Sequence, residues 1–166
     1  MNIREALRAE HSKRQTMAIV DHVGSDPKKF AELMSIFFEG EYRLTQRAAW
    51  PMNYCAERQP QLIYPYLPRL VAQLERDDVH DAVKRNALRL MQFVDMPSQL
   101  KAKTYSICLN LIADPMQPVA VKVFAVTVAA KIAKSSPDLL KELRLVVKET
   151  LTDSSIALHK RAREVM

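Results

Sequence analysis

Apolar residues return at helical spacing almost from one end of the chain to the other, with no stretch of strand-like alternation. Short interruptions carrying Pro, Gly, Asp or Ser divide the pattern. The segments between them predict helices at about 2–23, 27–38, 41–58, 61–76, 79–94, 97–113, 117–134, 137–151 and 154–165. Several starts are chemically explicit. Asp26-Pro27 and Ser136-Pro137 each place a capping side chain before a proline at the first helical position. Asp153 or Ser154 can cap the last helix.

The pattern also repeats. Thr45-Gln46-Arg47-Ala48-Ala49-Trp50, Val83-Lys84-Arg85-Asn86-Ala87-Leu88, Val121-Lys122-Val123-Phe124-Ala125-Val126 and His159-Lys160-Arg161-Ala162 begin at a constant step of 38 residues. In that register Leu44, Ala82, Ala120 and Leu158 share a column, as do Met52, Leu90, Val128 and Met166. In the preceding helix Leu33, Val71, Leu109 and Val147 align. Ser12-Lys13-Arg14-Gln15-Thr16-Met17 reads as a further half-unit at a shorter step of 33. A lone helix pair cannot bury its apolar stripe, whereas stacked neighbours complete one another.

These stretches resemble the HEAT/armadillo repeat superfamily, whose second helix often carries a Val-Arg-x-x-Ala-like stretch after an Asp. Val83-Lys84 to Ala87 follows Asp77, Asp78 and Asp81, and Val121-Lys122 to Ala125 follows Asp114. The first full unit departs, with Gln46 at the basic position. The last departs with Arg163 where Ala is expected. The resemblance implies an all-α, right-handed α-α superhelix of about four helix pairs plus an N-terminal capping helix. A single domain over 1–166 is expected, with the cap at 1–24 and repeats at about 25–58, 59–95, 96–135 and 136–166.

Composition narrows the function classes. Two glycines exclude a Gly-rich phosphate loop. Cys55 and Cys108 make neither a disulfide framework nor a zinc knuckle. No histidine pair has metal-ligand spacing, no Ser-His-Asp or Cys-His order stands out, and Asp77-Asp78 and Glu39-Glu41 sit where capping explains them. No catalytic residue, metal or cofactor is therefore assigned. The opening Met1–Glu10 is polar and no apolar run reaches roughly 18 residues, so the expectation is a cytoplasmic protein without a membrane span.

The net charge of +6 draws attention to basic residues. The repeat ladder supplies Lys84, Arg85 and Lys122, and residues 98–136 hold Lys101, Lys103, Lys122, Lys131 and Lys134 against one acid, Asp114. Together these seven are the candidate anion-binding set. The competing account pairs the ladder with Asp or Glu of adjoining units, with Arg85 and Asp81 as one i, i+4 pair. Tyr54, Tyr64 and Tyr66 are the candidate partner surface, because exposed tyrosines serve as recognition residues; Trp50 aligns with Leu88 and Val126 and reads as packed.

The favoured reading is a non-catalytic binding or scaffolding module that presents a curved helical surface to a protein or peptide partner. The alternative is nucleic-acid binding through a lysine-rich face, distantly like the HEAT-like alkylpurine DNA glycosylases. Those enzymes use Trp, Asp and Arg in a basic groove, and no Asp here can be matched to theirs. The sequence leaves monomer and homodimer open.

Overall fold

The computed structural model describes residues 1–39, 41–151 and 156–165. Among the described residues are ten α-helices, two 3-10 turns and no strand. The helices are α1 (Ile3–Ala9), α2 (Lys13–Val23), α3 (Pro27–Phe38), α4 (Tyr42–Arg58), α5 (Leu67–Leu74), α6 (Asp81–Met91), α7 (Ser98–Ala113), α8 (Val119–Ala133), α9 (Pro137–Leu151) and α10 (Ile156–Val165). The capping positions Asp153 and Ser154 and the column member Met166 lie outside the described residues.

Local chemistry explains where the helices differ from expectation. The single opening helix divides into α1 and α2. Ser12 Oγ accepts from the Gln15 N–H at 3.1 Å and so starts a new helix. The corner is closed by Gln15 Nε2, which donates to the Ala6 carbonyl at 3.1 Å. Arg47 Nη1 donates to the Leu7 and Arg8 carbonyls at 2.8 and 2.9 Å, satisfying the orphan end of α1.

The helix expected at 61–76 is also broken. Pro60, Pro65 and Pro68 each remove a backbone donor. The chain answers with 3-10 turns at Pro60–Leu62 and Tyr64–Tyr66, leaving α5 only 8 residues long. Pro51, by contrast, sits within a continuous 17-residue α4. Asp26 caps α3 as expected, accepting from Lys28 N–H at 2.8 Å and Lys29 N–H at 3.4 Å. Just before it, Gly24 takes a positive φ of 51°, and its N–H closes α2 onto the Val20 carbonyl.

The helices form two layers. Even-numbered helices α2, α4, α6, α8 and α10 lie side by side in chain order. Each is backed by the odd-numbered helix that precedes it, and within the odd layer α5 meets α7 and α7 meets α9. Between α3 and α5 the odd layer is joined by aromatic contacts. Phe30 meets Tyr66 edge-on at 5.8 Å, and the Arg69 guanidinium lies 4.0 Å above the Phe38 ring.

Contacts between units keep the sequence step. The rings of Tyr42 and His80, 38 residues apart, lie 4.4 Å from each other. Thr150 Oγ1 donates to the Ile112 carbonyl at 3.3 Å, again 38 residues away. Lys131 Nζ donates to the Gln92 carbonyl at 3.2 Å, a separation of 39.

Burial follows the same columns. Met52, Leu90 and Val128 are buried, as are Ala49, Ala87 and Ala125, whose small side chains let neighbouring helices approach closely. Leu44, Ala82 and Leu158 are buried, while Ala120 is half-buried. The resulting core is continuous from Ile3 to Ala162. Each large side chain taken fully from water contributes about 1.5–3 kcal/mol.

Candidate docking surface

Helix phase sorts the basic and aromatic residues of α4 and α6. In α4, Arg43, Arg47, Trp50 and Tyr54 fall at i, i+4, i+7 and i+11, one ridge of a helix. Arg43 is exposed and the other three are half-buried. In α6 the residues at the same 38-residue step are Asp81, Arg85, the fully buried Leu88 and, just past the helix, Gln92; Arg89 is exposed one turn beyond Arg85. α4 and α6 are neighbours in the even layer.

The helices differ in how far their charges are spent. On the N-terminal side, Arg58 pairs with Asp21 at 3.0 Å and Arg14 with Glu10 at 2.9 Å. The Trp50 ring packs on His11 with centroids 5.2 Å apart. Arg47 is committed to the carbonyls that end α1. Arg43, Arg85 and Arg89 form no ion pair among the described residues. The i, i+4 pair proposed between Arg85 and Asp81 is absent. Arg43, Arg85 and Arg89 thus remain available on α4 and α6, while the Trp50 ring is occupied by His11 and Tyr54 packs against the core.

The lysines read from sequence do not gather in the same way. Lys84 and Lys122 are buried, 6% and 8% exposed, so they are stems within the helix packing and not members of an open patch. Asp114 lies close to both. Its carboxyl is held below the usual range first by the Gln117 side-chain amide, then by the Met116 N–H, with the attraction of Lys122 and Lys84 adding to them. Lys103 pairs with Glu75 at 2.7 Å and Lys131 with Asp95 at 3.3 Å. Lys101 and Lys134 are exposed.

The tyrosines are also dispersed. Tyr64 is exposed, Tyr66 is half-buried against Phe30, and Tyr54 is half-buried on the α4 ridge. Burial pushes the Tyr66 hydroxyl above its ordinary value. His80 takes the capping role expected of its neighbouring aspartates. Its Nδ1 accepts from the Ala82 N–H at 3.0 Å, while Asp78 is engaged by Arg76 at 2.8 Å. Both thiols are buried, and desolvation pushes Cys55 up to about 11 and Cys108 up to about 12. Neither therefore offers a thiolate at neutral pH.

Two concavities are lined by residues of both layers. A cleft of about 250 Å³ between the α3–α4 and α5–α6 turns is lined by Phe37, Tyr42, Gln73 and His80 among others. A shallower groove of about 450 Å³ runs between α7 and α9, past Lys101, Tyr105 and Glu142. Among the described residues no group of His, Cys, Asp or Glu could hold a metal ion. No described helix is long and apolar enough to cross a membrane.

Of the three unpaired arginines, Arg85 belongs to the candidate set read from the sequence, whereas Arg43 and Arg89 do not. The lysine count drew the eye to 98–136, whereas the available arginines come from α4 and α6. Helix phase was the signal that could have found them: Arg85 and Arg89 are one turn apart, and Arg47 occupies the column of Arg85.

Layered pairs in constant register, with their exposed side formed by helix ridges, define a stacked-helix repeat protein. The HEAT repeat domain family model matches residues 3–166, and the chain belongs to that family. HEAT repeats generally mediate protein interactions or scaffolding. Comparison with curated proteins and with solved structures finds no match.

Proposed function

We propose that this protein is a non-catalytic docking module that receives a protein partner on its even-helix face. The observation that carries the reading is that Arg43 on α4 and Arg85 and Arg89 on α6 form no ion pair among the described residues, on neighbouring helices of the even layer. Arg is among the residue types enriched where binding energy concentrates. A rigid pair of packed helices presents them without the ordering cost of a loop.

The test is affinity capture from native lysate with three tagged forms: the natural chain, an arginine variant carrying Arg85→Glu and Arg89→Glu, and a control carrying Lys148→Glu on α9. A reproducible partner should appear with the natural chain and the control and vanish with the arginine variant. Recovery of no partner, or of one that ignores these arginines, counts against the reading.

A further inference from the structure

We propose that the cleft between the α3–α4 and α5–α6 turns binds a small neutral molecule, a flat ring that carries a carboxamide or cyclic-amide edge. The site is separate from the unpaired arginines of the even layer. Its volume of about 250 Å³ admits one ring with a polar substituent. The anchor is Gln73, which lines the cleft and is only 7% exposed. Its side-chain amide forms no hydrogen bond among the described residues. Neither polar atom of that amide is sealed in the core, so the group opens into the cleft. Buried polar groups ordinarily have partners. One repeat step on, the same column holds the buried Leu111, so helix packing does not itself require a carboxamide there.

The rest of the cleft defines what would pair with it. Its charges are spent: Glu39 on Arg4, and Asp78 on Arg76. Thr45 Oγ1 donates to the Phe37 carbonyl at 3.2 Å, and His80 Nδ1 accepts from the Ala82 N–H. What remains unbonded among the described residues is neutral: the Gln73 amide, the Tyr42 hydroxyl and the second ring nitrogen of His80. A carboxamide sets a donor and an acceptor side by side. A second amide edge answers both at once, through two N–H···O hydrogen bonds; a carboxylate or a ketone answers only the donor. Phe37, Val79 and Val83 supply apolar wall, and the paired rings of Tyr42 and His80 add aromatic surface. Such a lining, with a few placed polar groups, suits a flat ring. Tyr42 opens α4 and His80 caps α6, so an occupant would touch two successive units.

The probe is benzamide, titrated into the full chain and followed by proton–nitrogen correlation spectra. The Gln73 side-chain amide signals are assigned by their absence from Gln73→Leu. A fragment of this size should bind with a Kd of about 1 mM and move those signals. Benzoate and acetophenone keep the shape but lack the amide donor, and acetamide lacks the ring. Each should bind at least about fivefold more weakly. Gln73→Leu installs the residue of the next unit. It should hold or raise the urea midpoint, because an unpaired buried amide is removed, and should weaken benzamide at least tenfold. Benzoate or acetophenone binding as tightly as benzamide would overturn the amide edge, and acetamide doing so would overturn the ring. Benzamide that fails to bind at tens of millimolar, or that binds Gln73→Leu equally well, overturns the site. None of these results bears on the lysate capture, which tests the arginines separately.

Discussion

The interior layer α7–α8 and the last layer α9–α10 occupy the same register yet meet different surroundings. Ala87 and Ala125 are buried; the next member of their column is the exposed Arg163. Leu88 and Val126 are buried, and Glu164 follows them at the surface, paired with Arg161 at 3.3 Å. The buried Lys84 and Lys122 give way to an exposed Lys160. In the odd layer, Ile107 is buried while Leu145, one step on, is 55% exposed. Register places a residue on a given side of its helix; a neighbouring unit is what buries it. In α10, exposed charged residues stand at columns that α6 and α8 keep apolar.

The largest test moves one residue type between those layers. Ala125→Arg puts the side chain of position 163 into a column that is fully buried, where a close helix contact leaves it no room and no partner. The expected loss is more than about 4 kcal/mol, enough to abolish cooperative unfolding in urea at room temperature. The reciprocal Arg163→Ala should change stability by no more than about 0.5 kcal/mol. Comparable losses at both sites would mean that the last layer is as enclosed as the interior.

Two leucines two positions apart in α9 sharpen the comparison inside one helix. Leu143 is fully buried and Leu145 is half-exposed. Leu143→Ala should cost about 2–5 kcal/mol, and Leu145→Ala about 0.5 kcal/mol or less. Urea midpoints at equal slope measure both.

These contrasts show why the fold was readable and the surface less so. The 38-residue step depends on apolar columns, and core packing enforces those columns in every interior unit. Leu90 and Val128 had to be apolar wherever the chain ran. The broken element at 60–74 was legible in outline, since three prolines stand there, but the packing of Tyr66 on Phe30 of another helix was not. The split at Ser12 likewise depends on Arg47, 35 residues further on, closing the end of α1. Charges gave the weakest guide. A lysine's net charge is the same whether its stem is sealed between helices, as at 84 and 122, or free in water, as at 134. Arg43 and Arg89 stand out only once the ion pairs that engage the other cations are known.

The buried lysines supply the next smaller effect. Lys84→Ala removes methylenes from a sealed position and should cost up to about 2 kcal/mol. Lys84→Met, which keeps most of the stem, should recover the larger part of it. Lys160→Ala, its counterpart on α10, should fall within about 0.5 kcal/mol of the natural chain. If Lys84→Met were as damaging as Lys84→Ala, the ammonium rather than the stem would be what the interior needs.

The smallest effect is a pH dependence that belongs to the interior layer through Asp114, in the turn between α7 and α8. Its folded carboxyl lies below the ordinary carboxylate value, chiefly because the Gln117 amide donates to it, then because the Met116 N–H does, with Lys122 and Lys84 attracting the charge. A folded value lower than the unfolded one means that the unfolded chain binds the proton more readily. The associated stability is therefore present above the unfolded value and disappears as pH falls through the folded one. Asp114→Asn should lower the urea midpoint at neutral pH, and the gap between the two proteins should close in strongly acidic solution, below the ordinary aspartate range. Because the group is open to solvent, added salt should shrink the part due to the lysines and leave the hydrogen-bonded part. A gap that persisted unchanged into acid would show that the asparagine disturbs the turn itself, and that the charge of Asp114 contributes nothing to joining α7 to α8.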